Sequence, residues 1–205
     1  MKMEGPRLQV ERGSVRLALL VSLSALGGIS SVLVGYAGRF LSVIPGGGPV
    51  SGQLLSGLHV FWLVISAVIL GQPGSATATG ALKGLIEALL VSHLGIFVLV
   101  ISFLEGLVVD IMLLLFRRTK RAKFYLASGL SAASNVIVLQ LFFISELPIL
   151  MYAGMYLVSF ISGAVLGGFL SGVVLKNLGQ FLSHEKPANH NISNGDMSPD
   201  LEKRS

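Results

Sequence analysis

Apolar residues are concentrated in six segments of the chain, separated by short stretches that carry glycine, proline or basic residues. Each segment approaches the roughly 20 residues that an α-helix needs to cross the hydrocarbon core of a membrane. The third segment is the weakest, because it is short, contains glycine and carries Lys83 and Glu87. The pattern predicts an all-α integral membrane protein with six transmembrane helices, at residues 15–38, 54–70, 75–91, 94–116, 124–144 and 149–175.

Basic residues lie at the ends of these segments and distinguish the two sides of the membrane. If both termini are cytoplasmic, the cytoplasmic side collects every Lys and Arg except Arg39, which lies outside, and Lys83, which lies within the third segment. Cytoplasmic loops of membrane proteins are enriched in Lys and Arg. We therefore predict a cytoplasmic N-terminal segment (1–14), a six-helix substrate-binding domain (15–175) and a polar, disordered cytoplasmic tail (176–205).

Composition agrees with a multi-pass protein of the cell membrane. The chain is 53% hydrophobic and 12% charged, which excludes an ordinary soluble domain. It has no cysteine, which excludes disulfides and thiolate chemistry. Because the basic residues border the apolar segments, anionic lipid headgroups of the bilayer are their expected partner, and nucleic acid is not.

The predicted outer loop at residues 42–53 contains Pro45-Gly46-Gly47-Gly48-Pro49. This composition predicts neither a helix nor a regular strand. Two interpretations stay open: the loop is a flexible connector, or it is a lid over an external pocket.

Four ionisable residues lie inside the apolar segments, namely Lys83, Glu87, Glu105 and Asp110. Such a group costs about 2.5–3.5 kcal/mol at the bilayer centre on the insertion scale, so it pairs, lines a wet cavity or holds a ligand. Counted along the predicted helices, most polar side chains fall in the outer half of the membrane, and Asp110 falls in the inner half. This uneven distribution predicts a pocket that is open to the outside.

The residues predicted to bind a substrate are Glu87, Glu105, Trp62, His59, Lys83, Asn135 and Tyr156. Carboxylates suit a cationic or amino-substituted ring, and an aromatic side chain can stack on it. Structural alternatives stay open for several of them. Lys83 and Glu87 can simply pair across one helical turn, and His59 and Trp62 can pack or face lipid. Asp110 is expected to be structural or an assembly contact.

Motifs for enzymatic chemistry are missing from the sequence. There is no G-x-x-x-x-G-K-[ST] phosphate loop, no H-E-x-x-H and no G-x-S-x-G. We therefore expect no enzyme activity, no cofactor and no metal site in this chain.

Three short motifs resemble a known family. Pro73-Gly74-Ser75-Ala76 is followed by Glu87, Glu105-Gly106-Leu107 is followed by Asp110, and Ser162-Gly163-Ala164 lies in the last segment. Together with six short helices, these motifs resemble the substrate-binding S components of energy-coupling factor (ECF) transporters, and most specifically the hydroxymethylpyrimidine/thiamine S components. The chain departs from that pattern at Gly80, where the family tends to have an acid, and at Glu105, where glutamine is common.

The resemblance implies a substrate-capture subunit of an ECF-type ABC importer for thiamine, hydroxymethylpyrimidine or a related small heterocycle. It implies a transmembrane coupling subunit and two ATP-binding subunits as partners. Small residues on the first helix, including Ser24 and Gly28, resemble the surface that docks on the coupling subunit. Leucine at either position is expected to block assembly while sparing the outer pocket.

Two other functions remain as alternatives at the level of the sequence. In a proton-coupled secondary transporter, the intramembrane carboxylates would relay protons. In a structural membrane protein, the charges would only pair internally, and no ligand would bind.

Overall fold

The computed structural model describes residues 13–43, 48–90, 95–116, 122–142 and 146–184, with side chains as far as residue 177. Every regular element in these ranges is helical. In chain order the α-helices are α1 (Gly13–Val43), α2 (Gly48–Gly52), α3 (Ser56–Leu70), α4 (Ser75–Leu89), α5 (Phe97–Leu115), α6 (Ala122–Phe142), α7 (Ile149–Ser162) and α8 (Leu170–His184). A 3₁₀ turn, Gln53–Leu55, joins α2 to α3, and a π-helical segment, Gly163–Phe169, joins α7 to α8.

Five helical stretches in the described part of the chain are long and apolar enough to cross a membrane: Gly13–Val43, Gly48–Leu70, Phe97–Leu115, Ala122–Phe142 and Ile149–Asn177. They correspond to five of the six predicted spans. The remaining predicted span matches α4, which has 15 residues and is too short to qualify by length. The prediction of six spans and the predicted orientation of the termini stay predictions.

Two predicted boundaries differ from the observed elements. The outer loop was expected to contain no helix, yet α2 forms at Gly48–Gly52, where Gly48 adopts a φ of 57° and Pro49 follows it. Proline fits the first turn of a helix, where its missing N–H is not needed. At the other end, α8 continues past residue 175 to His184. Residues 1–12, 44–47, 91–94, 117–121, 143–145 and 185–205 lie outside the described residues, and with them most of both predicted terminal segments.

Helix α3 is the centre of the bundle. It contacts α1, α4, α5, α6, α7 and the π-helical segment, and its side chains Val60, Leu63 and Val64 have no exposed surface. By contrast, α1 exposes many large apolar side chains, such as Leu33 and Phe40. A helix with such a surface suits lipid, and a helix buried on all sides suits the interior of a bundle.

Helices α4 and α5 pack against each other through glycine. A Cβ atom at Gly80 would run into the carbonyl group of Ser102, and one at Gly106 would run into the carbonyl group of Ala76. The backbones can approach this closely only because no side chain separates them. This contact fixes the polar residues of α4 and α5 beside one another.

Candidate functional site

A cavity of about 400 Å³ opens between the ends of the helices. This volume lies within the range of small-molecule sites, roughly 300–1,000 Å³. Its wall combines residues from α1, the α2 region, α3, α4, α5, α6 and α7. The lining residues are Val34, Gly35, Gly38, Arg39, Ser42, Gly48, Pro49, Gly52, Gln53, Ser56, His59, Glu87, Val98, Ile101, Ser102, Glu105, Asn135, Leu139 and Met155.

Glu105 is the most conspicuous polar group on this wall. Its side chain is 1% exposed, and neither carboxylate oxygen has a hydrogen-bond partner. Ser131 of α6 donates to the main-chain carbonyl of Glu105 at 2.8 Å, which ties α5 to α6 at this level. A buried carboxylate without a donor is costly, so its position on a cavity wall points to a ligand.

Glu87 of α4 also lines this wall, and Lys83 forms an ion pair with it from a position outside the cavity. Lys83 Nζ lies 3.4 Å from Glu87 Oε2 and donates to Ser102 Oγ at 3.0 Å. The side chain of Lys83 has no exposed surface and does not line the cavity. The ion pair of Lys83 and Glu87 across one helical turn, which the sequence left open, is therefore present. Glu87 lines the cavity at the same time.

His59 and Asn135 complete the set of predicted residues on the wall. His59 Nδ1 lies 3.0 Å from Ser31 Oγ of α1, which orients the imidazole. Asn135 has a buried amide oxygen without a hydrogen-bond partner. Gln53 has the same feature and was not predicted, because it lies before the apolar run of α3, in a stretch read as loop.

Trp62 and Tyr156 do not line this cavity. Trp62 packs against α1, because a Cβ atom added at Gly27 would lie 3.2 Å from the Cβ of Trp62. The ring of Trp62 contacts the ring of Phe61 edge to face. The hydroxyl of Tyr156 donates to Gln140 Oε1 at 3.0 Å, beside a separate shallow groove between α6 and α7. Residue spacing along a helix did not determine the direction in which these side chains point.

The predicted docking residues face another helix of the same chain. Ser24 has no exposed surface and donates to the carbonyl of Thr79 at 3.4 Å. A Cβ atom at Gly28 would lie 2.9 Å from the side chain of Ile86. The docking role of Ser24 and Gly28 stays a prediction, and it would require α1 to separate from α4. A leucine at Gly28 would press on α4 beside Glu87, so the expectation that it spares the pocket no longer follows.

Asp110 lies apart from the cavity and caps α4. Its carboxylate accepts hydrogen bonds from the main-chain N–H of Ala76 at 3.3 Å, the N–H of Thr77 at 2.8 Å and the Thr77 hydroxyl at 2.6 Å. A carboxylate at a helix N-terminus satisfies free N–H groups and complements the helix dipole. This contact joins two of the motifs found in the sequence, and it agrees with the structural role expected for Asp110.

A metal site is not evident in the described part of the chain. No group of three His, Cys, Asp or Glu side chains there could hold a metal ion. The polar groups on the wall instead offer carboxylate and amide oxygens to a ligand with hydrogen-bond donors.

Comparisons with known proteins place the chain in a family. No curated protein matches it. Among solved structures, a crystal structure of an S-component of an ECF transporter superposes with a TM-score of 0.74 at 23% identity, over 82% of this chain and 85% of that chain, which establishes a shared fold. A family model described as "ABC-type cobalt transport system, permease component" matches residues 15–138, more than half of the chain. The chain is a multi-pass protein of the cell membrane, and it belongs to the family of ABC-type cobalt transport system permease components.

Proposed function

We propose that this protein is the membrane-embedded substrate-capture subunit, or S component, of an ECF-type ABC importer. Its fold is shared with an S-component of an ECF transporter, and its family is described as a permease component of an ABC-type transport system. The observation that carries the proposal is the cavity with Glu105 on its wall, because a buried carboxylate without a donor is expected at a ligand site. Neither comparison favours the alternative of a proton-coupled transporter.

The proposed substrate is thiamine, hydroxymethylpyrimidine or a related small heterocycle. A cavity of about 400 Å³ suits an organic molecule of this size. Glu87 and Glu105 supply hydrogen-bond acceptors for an amino-substituted or cationic ring, and His59 offers a flat surface beside them. The motifs at Pro73–Ala76 and Glu105–Leu107 support the same substrate class by resemblance.

Cobalt is the competing substrate, because the family description names it. A metal ion in a protein is normally held by several side chains that converge on one point. The described residues include no group of three such side chains. The wall also spreads its polar groups over a space much larger than one ion. An organic substrate is therefore the better fit to this cavity.

The proposed partners are a transmembrane coupling subunit and two ATP-binding subunits. Because the sequence has no phosphate-binding loop, ATP would be hydrolysed in those partners. The S component would capture the substrate, and the assembled complex would move it across the membrane.

Binding and transport assays test this proposal. The purified full-length protein is expected to bind thiamine or hydroxymethylpyrimidine without ATP, as measured by calorimetry in detergent, and Co²⁺ serves as the competing ligand. Transport into proteoliposomes is expected only with the coupling subunit, the ATP-binding subunits and ATP. Uptake driven by a pH gradient in proteoliposomes that contain this chain alone would contradict the proposal.

A further inference from the structure

Lys83 lies behind the cavity wall, whereas both of its hydrogen-bond partners lie on it. Glu87 and Ser102 line the cavity, and Lys83 does not. The aliphatic part of Lys83 is enclosed by α1, since a Cβ atom at Gly27 would lie 3.3 Å from Lys83 Cδ. A ligand in the cavity therefore senses Lys83 through these two wall residues rather than by direct contact.

The buried ionisable groups around the cavity comprise two carboxyl groups but a single amine. Lys83 is the partner of Glu87, with which it forms an ion pair across one helical turn. Glu105 is equally buried but has no hydrogen-bond donor on either oxygen. Arg39, unlike Lys83, is one of the described wall residues, but it is exposed, so water and salt screen its positive charge. One buried negative charge thus remains for a ligand to neutralise.

The other buried polar atoms on the wall that have no partner are also acceptors. They are Gln53 Oε1 and Asn135 Oδ1, from the start of α3 and from α6. In this orientation of the two amides, a ligand satisfies them by bringing hydrogen-bond donors, because burying an acceptor without a donor is unfavourable. An amino-substituted cation meets this need, and a phosphorylated or carboxylated molecule adds further acceptors.

We propose that Lys83 is a positioning residue, which fixes Glu87 in the wall and cancels its charge, so that Glu105 alone selects a ligand with a single positive charge. The inference rests on the proposed function, since it concerns the same cavity. Beyond the proposed function, the inference specifies which carboxylate recognises the charge of the ligand and how many charges the ligand carries. Glu87 then contributes hydrogen-bond acceptors to the wall but no net charge.

A pair of ligands that differ only in charge tests this division of roles. Thiamine has a permanent positive charge on its thiazolium nitrogen, and its thiophene isostere, with carbon at that position, has none. Calorimetry on the purified full-length protein is expected to give about tenfold or more tighter binding of thiamine. In Glu105→Gln, which keeps the shape of the side chain, the ratio of the two affinities is expected to fall close to one.

The role of Lys83 is tested with a single and a paired substitution. Lys83→Met leaves the Glu87 carboxylate unpaired and is expected to change the affinity ratio. Lys83→Met/Glu87→Gln removes both charges together and is expected to restore the ratio close to its wild-type value, even if both affinities fall. A ratio that collapses in the paired variant would overturn the inference, because Glu87 would then be reading the charge.

The affinity ratio of Glu105→Gln tests the inference even where the paired variant fails to fold. An unchanged ratio in Glu105→Gln overturns the inference. Equal affinity of the wild-type protein for thiamine and its isostere also overturns it, while the proposed function survives. Failure of the wild-type protein to bind thiamine, its isostere and hydroxymethylpyrimidine would overturn the proposed function as well.

Discussion

At the scale of single residues, the ionisable side chains inside the membrane segments divide into two kinds. Lys83, Glu87 and Asp110 have partners from their own helix or from the neighbouring helix. Glu105 has none and faces a cavity. The cost of burying a charge explains why the sequence already singled out all four. This cost alone does not separate them. The depth count set Asp110 apart from the predicted pocket, but its partner is a helix end whose position depends on the fold.

Asp110 offers a test of a purely structural charge. Asp110→Ala removes three hydrogen bonds at the start of α4 and is expected to lower stability by about 1–2 kcal/mol. Thermal unfolding in detergent measures the loss, and Thr77→Val, which removes one of the three bonds, should show a smaller one. Substrate affinity at a temperature where the variant is folded is expected to stay near wild type. A selective loss of affinity without a loss of stability would make Asp110 part of the binding site.

His59 and Trp62 are alternative candidates for a stacking surface in the sequence, and the structure separates them. Only His59 lines the cavity, whereas Trp62 packs between α3 and α1. His59→Leu is expected to weaken ligand binding about tenfold or more, since it removes a polar aromatic group from the wall. Trp62→Leu is expected mainly to lower the unfolding temperature. A larger loss of affinity in Trp62→Leu than in His59→Leu would show that the site extends to the α1–α3 contact.

At the scale of elements, the apolar pattern predicted where the long helices lie, but it did not predict the contacts between helices. Five of the predicted segments coincide with long helices, because 20 apolar residues leave few other structures possible in lipid. The 15 residues of α4 form a helix for another reason. Its glycines pack on α5 and Asp110 caps its first turn, and both contacts come from distant parts of the sequence. The pattern along one segment cannot show such contacts, nor that α2 forms within a loop rich in glycine.

The contact between α4 and α5 can be tested with alanine. Gly80→Ala would place a methyl group against the carbonyl of Ser102, and backbone cannot move aside as a flexible side chain can. We expect a loss of about 1–3 kcal/mol in stability and a weaker Lys83–Ser102 bond. Gly172→Ala in α8 is the matched control, because nothing lies within 4 Å of its Cβ position. There alanine should be neutral or stabilise the helix by up to about 1 kcal/mol. Equal unfolding temperatures of the two variants would show that the close approach of α4 and α5 is not required.

At the scale of the whole molecule, α1 links the lipid-facing surface to the cavity. One face packs on α4 through Ser24 and Gly28, and the opposite face exposes residues such as Ser22 and Leu26. The C-terminal end of α1 also lines the cavity through Gly38 and Arg39. A partner that contacts the exposed face of α1 could therefore influence the cavity through a helix that belongs to both.

Leucine substitutions on the two faces of α1 separate docking from binding. Gly28→Leu would collide with Ile86, the neighbour of Glu87, so we expect it to weaken substrate binding by the isolated subunit. Ser22→Leu adds its bulk on the exposed face, so the isolated subunit should bind substrate normally. If the coupling subunit docks there, this variant should lose ATP-driven transport and co-purification, because close helix contacts between membrane proteins require small side chains. Normal substrate affinity in Gly28→Leu together with loss of assembly would instead favour docking at Ser24 and Gly28, and would mean that α1 leaves α4 when the partner binds.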